Sequence, residues 1–238
     1  GLLAFVEGRK RWLTAHLLLL VVAAQLHLSA LGLAPVTALA LVIFRRRVDW
    51  RQVLWGIGLA AITLLPIGWY VVQHRAEIGA GLAGIGGQPA PITPRAVWAA
   101  WMLAAGANLH SAAGPQAFPA FLRTVPPPGV WLWPLTALLA GGVLFVAWQA
   151  WVARRERRGE IALFLLGWLI FPIALFVRES APVFPHYFIP LLPAPYLAAA
   201  AALDALGRWA RRGRWAMIAL PTLIAGMQAA TFVALILF

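Results

Sequence analysis

The chain has 238 residues, 63% of them hydrophobic and 11% charged, with a mean hydropathy of +0.83. Globular domains carry roughly 45–50% apolar and about 25% charged residues, so this composition excludes a soluble domain, a disordered chain and a disulfide-stapled module, and leaves an integral membrane protein. With no cysteine, a disulfide, a thiolate metal site and a catalytic thiol are excluded as well. The net charge of +12 sits in short clusters between apolar runs, which is the pattern of membrane topology rather than of nucleic-acid binding.

Seven apolar runs follow one another: 13–26, 28–44, 52–72, 130–152, 161–177, 187–206 and 215–237. A membrane-spanning helix needs about 20 residues, range roughly 17–25. The expected fold is therefore an all-α integral membrane protein of about seven transmembrane helices. Three passes fall in 1–72, a long loop in 73–129 and four passes in 130–238. The chain opens on Gly1 with no signal peptide and closes inside the apolar stretch Ala234–Phe238, so it reads as a segment of something longer.

Residues 13–44 form one apolar stretch that a single helix would extend to about 48 Å, against a hydrocarbon core of about 30 Å. A hairpin with its tip at Gln25-Leu26-His27-Leu28-Ser29 fits better. It keeps Arg9, Lys10 and Arg11 on the same side as Arg45, Arg46 and Arg47. Its first arm rises only about 21 Å. The tip is thus expected below the membrane surface, where irregular backbone is tolerated only inside protein or beside a wet cavity.

Fifteen of the 19 lysines and arginines then fall on one face: residues 9–11, 45–51, 154–158 and 208–214. Only Arg75, Arg95, Arg123 and Arg178 fall on the other. The positive-inside rule puts the first set in the cytoplasm and 73–129 outside. That loop begins with the glycine-rich stretch Gly79–Gly87, expected to be flexible. Thr93 is placed to cap a helix with Pro94 at its first position. The helix predicted over 95–109 carries Trp98, Trp101 and Met102 on one side, and either lies at the membrane interface or packs on the bundle. Trp131 and Trp133 mark the next membrane entry. The loop-side polar residues near apolar runs are the functional candidates. They are Gln25 and His27; His74, Arg75 and Glu77; Asn108 and His110; Arg123; and Arg178, Glu179, His186 and Tyr187. Arginine with Tyr and His donors suits an anionic oxygen such as a phosphate or carboxylate. No two histidines lie three or four apart, so a metal site has little support. The glycine cluster lacks the Lys-Ser/Thr of a P-loop.

Gln25-Leu26-His27-Leu28-Ser29-Ala30-Leu31 between two apolar arms, Leu65-Pro66-Ile67-Gly68-Trp69-Tyr70, and Pro185-His186-Tyr187-Phe188-Ile189-Pro190-Leu191-Leu192-Pro193 together resemble the bacterial polytopic glycosyltransferases of the protein-mannosyltransferase-like family, within the C-type superfamily. The last stretch resembles the family's Arg-Tyr-x-x-x-x-x-Pro element, with His186 where Arg is usual and Arg178 as the cation nearby. The resemblance implies an enzyme of the plasma (inner) membrane. It would pass a sugar from a polyprenyl-phosphate donor to a lipid, glycan or protein acceptor on the outer face. Donor contacts are expected from Gln25, His27, Arg178, His186 and Tyr187. The family's acidic catalytic loop would precede Gly1, so the segment by itself is expected to be inactive. The resemblance leaves a divalent metal open as a cofactor, and the expected partners are the lipid-linked sugar and the bilayer, with no nucleic acid. Two alternatives stay open: a polytopic lipid transporter or flippase, which needs broken helices near the midplane, and a non-catalytic membrane subunit, which needs small-residue packing faces. The His27 tip and the Arg178–Tyr187 element are expected to meet across an outer-facing cavity.

Overall fold

The structure, a computed structural model, describes residues 11–86, 91–107, 118–121, 123, 129–178, 183–209 and 214–237. These residues are helical apart from turns, short linkers and one isolated bridge. The helices are α1 (Trp12–Leu26), α2 (Leu33–Ile43), α3 (Trp50–Gln73), α4 (Arg75–Gly86), α5 (Arg95–Ala104), α6 (Phe118–Phe121), α7 (Gly129–Val152), α8 (Arg157–Val177), α9 (Pro193–Trp209) and α10 (Arg214–Leu237). Tight 3₁₀ turns lie at Leu28–Gly32, Arg45–Arg47 and Pro185–Leu191. Among the described residues, α3, α7 and α8 are long and apolar enough to cross a membrane. The count is four if the bent pair Pro185–Leu191 and α9 forms one span. Trp12–Leu26, Leu28–Ile43 and the Ile218–Ala234 part of α10 are shorter apolar helices.

The backbone divides into two compact units, Gly1–Ala96 with Gly167–Pro190, and Val97–Leu166 with Leu191–Phe238. In the first, α1 and α3 pack as parallel neighbours. Thr14 Oγ1 lies 2.8 Å from Gln52 O near the start of both, and Gln25 Nε2 donates to Thr63 Oγ1 at 3.0 Å further along both. Gly56 permits this approach, because a Cβ there would sit 2.8 Å from Leu17 Cδ1 and 3.3 Å from Thr14 Cα. The chain reverses at His27. His16 Nε2 and Thr37 Oγ1, on opposite sides of that residue in sequence, are 2.8 Å apart. Asp49 caps α3 by accepting the Arg51 N–H at 3.1 Å. α8 runs against α2: Gly32 faces Pro172, and Gly167 faces Leu39. Pro172 is fully buried there. A proline frees a backbone carbonyl within its helix, and neighbouring helices make that tolerable.

In the second unit, α7 and α9 form the closest helix pair. Gly142 sits against the backbone of Ala198 and Ala199, and Leu135, Leu139, Ala199, Ile224 and Ala104 make the buried core. Both helices run the same way, since Leu138 and Leu192 flank that core while Gln149, Asp204 and Arg208 line one cavity further along. Small residues let the two backbones approach, which is how apolar helices associate where lipid offers no hydrophobic drive.

Three sequence expectations are corrected. The run 187–206 is not one helix. It is a 3₁₀ turn and α9 meeting at 52°, because Pro193 removes an N–H and holds Leu192 out of the α region. The glycine-rich start of the 73–129 segment is not a flexible loop over 75–86. It is α4, entered directly from α3 through His74, with Ile78 N–H bonding to His74 O at 3.0 Å. Each glycine costs a helix roughly 0.5–1 kcal/mol relative to alanine, which weakens it without forbidding it. The helix expected over 95–109 ends at Ala104. Gly106 takes φ +64° and closes it, with Ala107 N–H bonding to Met102 O (2.9 Å) and Gly106 N–H to Leu103 O (3.2 Å), a Schellman cap. Its start is as read, with Thr93 Oγ1 accepting the Arg95 N–H at 3.3 Å.

The choice between an interfacial and a packed α5 is decided along its length. Ala99, Ala100 and Ala104 are buried. Trp101 Nε1 donates to Thr136 Oγ1 (3.1 Å), and Tyr196 Oη donates to Ala104 O (2.6 Å). The C-terminal half of α5 is therefore anchored to α7 and α9, while Trp98 remains exposed, its ring tilted against that of Trp101 with centroids 4.6 Å apart.

Candidate functional site

α1 ends at Leu26 and leaves His27 extended, at φ −152° and ψ 117°. The imidazole folds back to cap the 3₁₀ turn that follows. Nδ1 accepts the Ser29 backbone N–H at 3.3 Å and lies 2.7 Å from Ser29 Oγ. A backbone N–H can only donate, so Nδ1 is the acceptor and the neutral ring carries its proton on Nε2. Ser29 is buried and His27 is exposed, so the capping bond holds the ring with its N–H edge free to serve another group.

The facing element is built at the end of α8. Thr93 N–H bonds to Val177 O at 3.1 Å, and Ile92 and Arg178 form an antiparallel bridge. The 3₁₀ turn Pro185–Leu191 is anchored by fully buried Phe188 and by Trp168 Nε1, which donates to Pro190 O at 2.9 Å. This anchoring presents His186 and Tyr187 to His27. The His27 and His186 rings are 5.5 Å apart, edge to face, and His27 and Tyr187 are 5.7 Å apart. His186 and Tyr187 are themselves 4.6 Å apart. Phe176 stacks on Tyr187 at 5.4 Å and Phe184 on His186 at 5.6 Å, walling the cluster with apolar surface.

Three of the five expected binding residues, His27, His186 and Tyr187, thus converge. Gln25 does not join them; its amide is spent on Thr63 in α3. Arg178 is exposed and sits at the Ile92 bridge, eight residues before His186 on the same segment. His74 stacks on Tyr70 at 4.2 Å with its Nδ1 3.0 Å from Tyr70 O, away from this cluster in sequence and in its contacts. Arg75 and Glu77 are exposed on α4, and Arg123 is exposed beside α6. Asn108, His110 and Glu179 lie outside the described residues. Sequence reasoning missed the contributions of Ser29, Phe176 and Phe184. Ser29 carried a signal, a hydroxyl two residues after a histidine at a helix end, whereas the two phenylalanines look like any others in apolar runs.

Chemically, the cluster offers the His27 Nε2–H, a ring N–H of His186 and the Tyr187 hydroxyl, in an aromatic surround. Such donors suit an anionic oxygen. Their fit to a divalent metal is poor. The Nδ1 of His27 is already engaged, and among the described residues no three His, Asp or Glu side chains gather to hold an ion. No protein family, no curated protein and no solved structure matches this chain.

Proposed function

We propose that the chain is the membrane-embedded portion of a glycosyltransferase that takes its sugar from a polyprenyl-phosphate donor and passes it to a lipid, glycan or protein acceptor. The observation that carries this reading is the convergence of His27, His186 and Tyr187 at two irregular helix junctions. In it, the ring N–H groups and the Tyr187 hydroxyl would hold the donor phosphate through its charged oxygens, and Phe176 and Phe184 would lie against the first isoprene units. Arg178 would supply the positive charge. Seven crossings belong to the same proposal: the α1–α2 hairpin, α3, α7, α8, the bent Pro185–Trp209 segment and α10. The shared direction of α1 and α3, the reversal in α2 and the opposed run of α2 and α8 support that order. The basic clusters then lie on the cytoplasmic side of the plasma membrane and 73–129 on the outer side.

The test is binding of a polyprenyl monophosphate to the chain in nanodiscs, followed by native mass spectrometry. A hydrogen bond to a charged group is worth about 1.5–3 kcal/mol. His27→Ala and Tyr187→Phe should each weaken binding by at least tenfold, and Arg178→Ala should weaken it more than Arg95→Ala does. Equal affinities across all four variants would remove the proposed donor site.

A second reading, a lipid transporter or flippase, is favoured by one observation. The bend between the Pro185–Leu191 turn and α9 supplies a broken helix of the kind such proteins use. Scrambling of a fluorescent lipid by proteoliposomes, unaffected by His27→Ala, would favour it over the transferase.

A further inference from the structure

A second polar site lies within the second unit. The ends of α7 and α9 and the first turns of α8 enclose a cavity of about 240 Å³. Its charged and polar rim is Gln149, Arg158, Asp204 and Arg208; its walls include Phe145 and Leu165. Arg208 Nη1 is 2.5 Å from Asp204 Oδ2, and Arg158 grips Glu156 with Nε at 2.8 Å and Nη2 at 3.2 Å. All four of these side chains are more than half exposed, between 58% and 72%. Ion pairs so exposed contribute little and exchange partners readily. Each guanidinium also keeps N–H donors that its carboxylate does not use: Nε and Nη2 on Arg208 and Nη1 on Arg158.

We propose that this cavity is a binding site for the headgroup of an anionic phospholipid, with the phosphodiester between Arg158 and Arg208 and an acyl chain along the apolar wall. Three features select this occupant. Arg158 and Arg208 are balanced by Glu156 and Asp204, but Arg154, Arg155 and Arg157 stand beside them against Glu160 alone, so the end of the cavity as a whole is positive. The cavity opens where three apolar helices end at a basic cluster, which is where anionic headgroups meet a bundle. Its wall is apolar from Phe145 to Leu165, which serves a lipid and does nothing for a free phosphate ion. The neighbouring groove of about 500 Å³ between α7 and α9 is lined without a charged side chain and so lacks a headgroup site of its own. The bound phosphate would tie α8 to α9 at the end where each carries an exposed arginine.

The experiment is thermal unfolding of the detergent-solubilised chain titrated with phosphatidylglycerol, phosphatidylcholine or inorganic phosphate. Phosphatidylglycerol should raise Tm saturably, and the other two should not. Each arginine near an anionic membrane surface contributes about a fivefold gain in affinity, so Arg158→Gln with Arg208→Gln should weaken the apparent affinity by roughly 20-fold or more. Arg95→Gln should leave it unchanged. Because both arginines are exposed, the double variant should fold with an unchanged Tm in lipid-free detergent. The proposal is overturned if phosphatidylcholine stabilises equally, if inorganic phosphate reproduces the effect, or if the double variant keeps the parental affinity. A double variant that fails to fold is replaced by Gln149→Leu, which removes the rim's amide donor without touching an ion pair and should lower affinity. Unchanged affinity in that variant also counts against the site.

Discussion

Alanine at Gly142 tests whether the α7–α9 seam holds the second unit together. A Cβ on Gly142 would lie 2.6 Å from Ala199 Cα and 2.7 Å from Ala198 C, both backbone atoms that no side-chain rotation can move aside. Gly141, one residue earlier in the same helix, has nothing within 4 Å of the equivalent position. Both substitutions give the same gain in helix propensity, about 0.8–1.0 kcal/mol. The difference between them therefore isolates the steric term. Overpacking of a filled interior costs typically about 1–3 kcal/mol, and the obstruction here is rigid backbone, which places the cost at the upper end. Gly141→Ala should be neutral or up to about 1 kcal/mol more stable than the parent. Gly142→Ala should fall about 2–3 kcal/mol below Gly141→Ala. The assay is unfolding of the purified chain in mixed micelles titrated with a denaturing detergent, followed by helical circular dichroism and Trp fluorescence. Coincident unfolding midpoints for the two alanine variants would refute the reasoning, because they would mean that α7 and α9 do not approach at Gly142.

Other expectations follow from single contacts. Tyr196→Phe removes the 2.6 Å bond to Ala104 O and should cost about 0.5–1.5 kcal/mol in the same titration; protease cleavage within 105–107 should also speed up as the end of α5 loosens. Gly56→Leu should separate α1 from α3, since even a Cβ meets Leu17 at 2.8 Å, and should lower stability more than Gly58→Leu, where nothing lies within 4 Å. The Cys-free chain suits single-cysteine labelling: a cysteine at Glu77 should react with an impermeant reagent from outside and one at Arg155 only from inside, and the reverse pattern would invert the proposed topology.

The sequence by itself determined where the long helices lie. The runs 52–72, 130–152, 161–177 and 215–237 became helices of nearly the same bounds, because an apolar backbone away from water must satisfy its own N–H and C=O groups, and a helix does so locally. The Thr93 cap was equally legible, since capping depends on neighbours two residues away. What sequence misjudged was also local but marginal. The glycines of 75–86 suggested a loop where α4 forms, and the prolines around Leu192 were underweighted, so a bent pair was read as one span. Only the tertiary structure decided which polar residues share a site. Nothing in Gln25 and His27 taken alone says that one is spent on Thr63 and the other turned toward His186 and Tyr187. That choice depends on the register of α1 against α3 and on how Trp168 and Phe188 seat the 3₁₀ turn. Both are set by packing between segments far apart in the chain, and residues such as Gly56, Phe176 and Phe184 acquire meaning only when their neighbours are known.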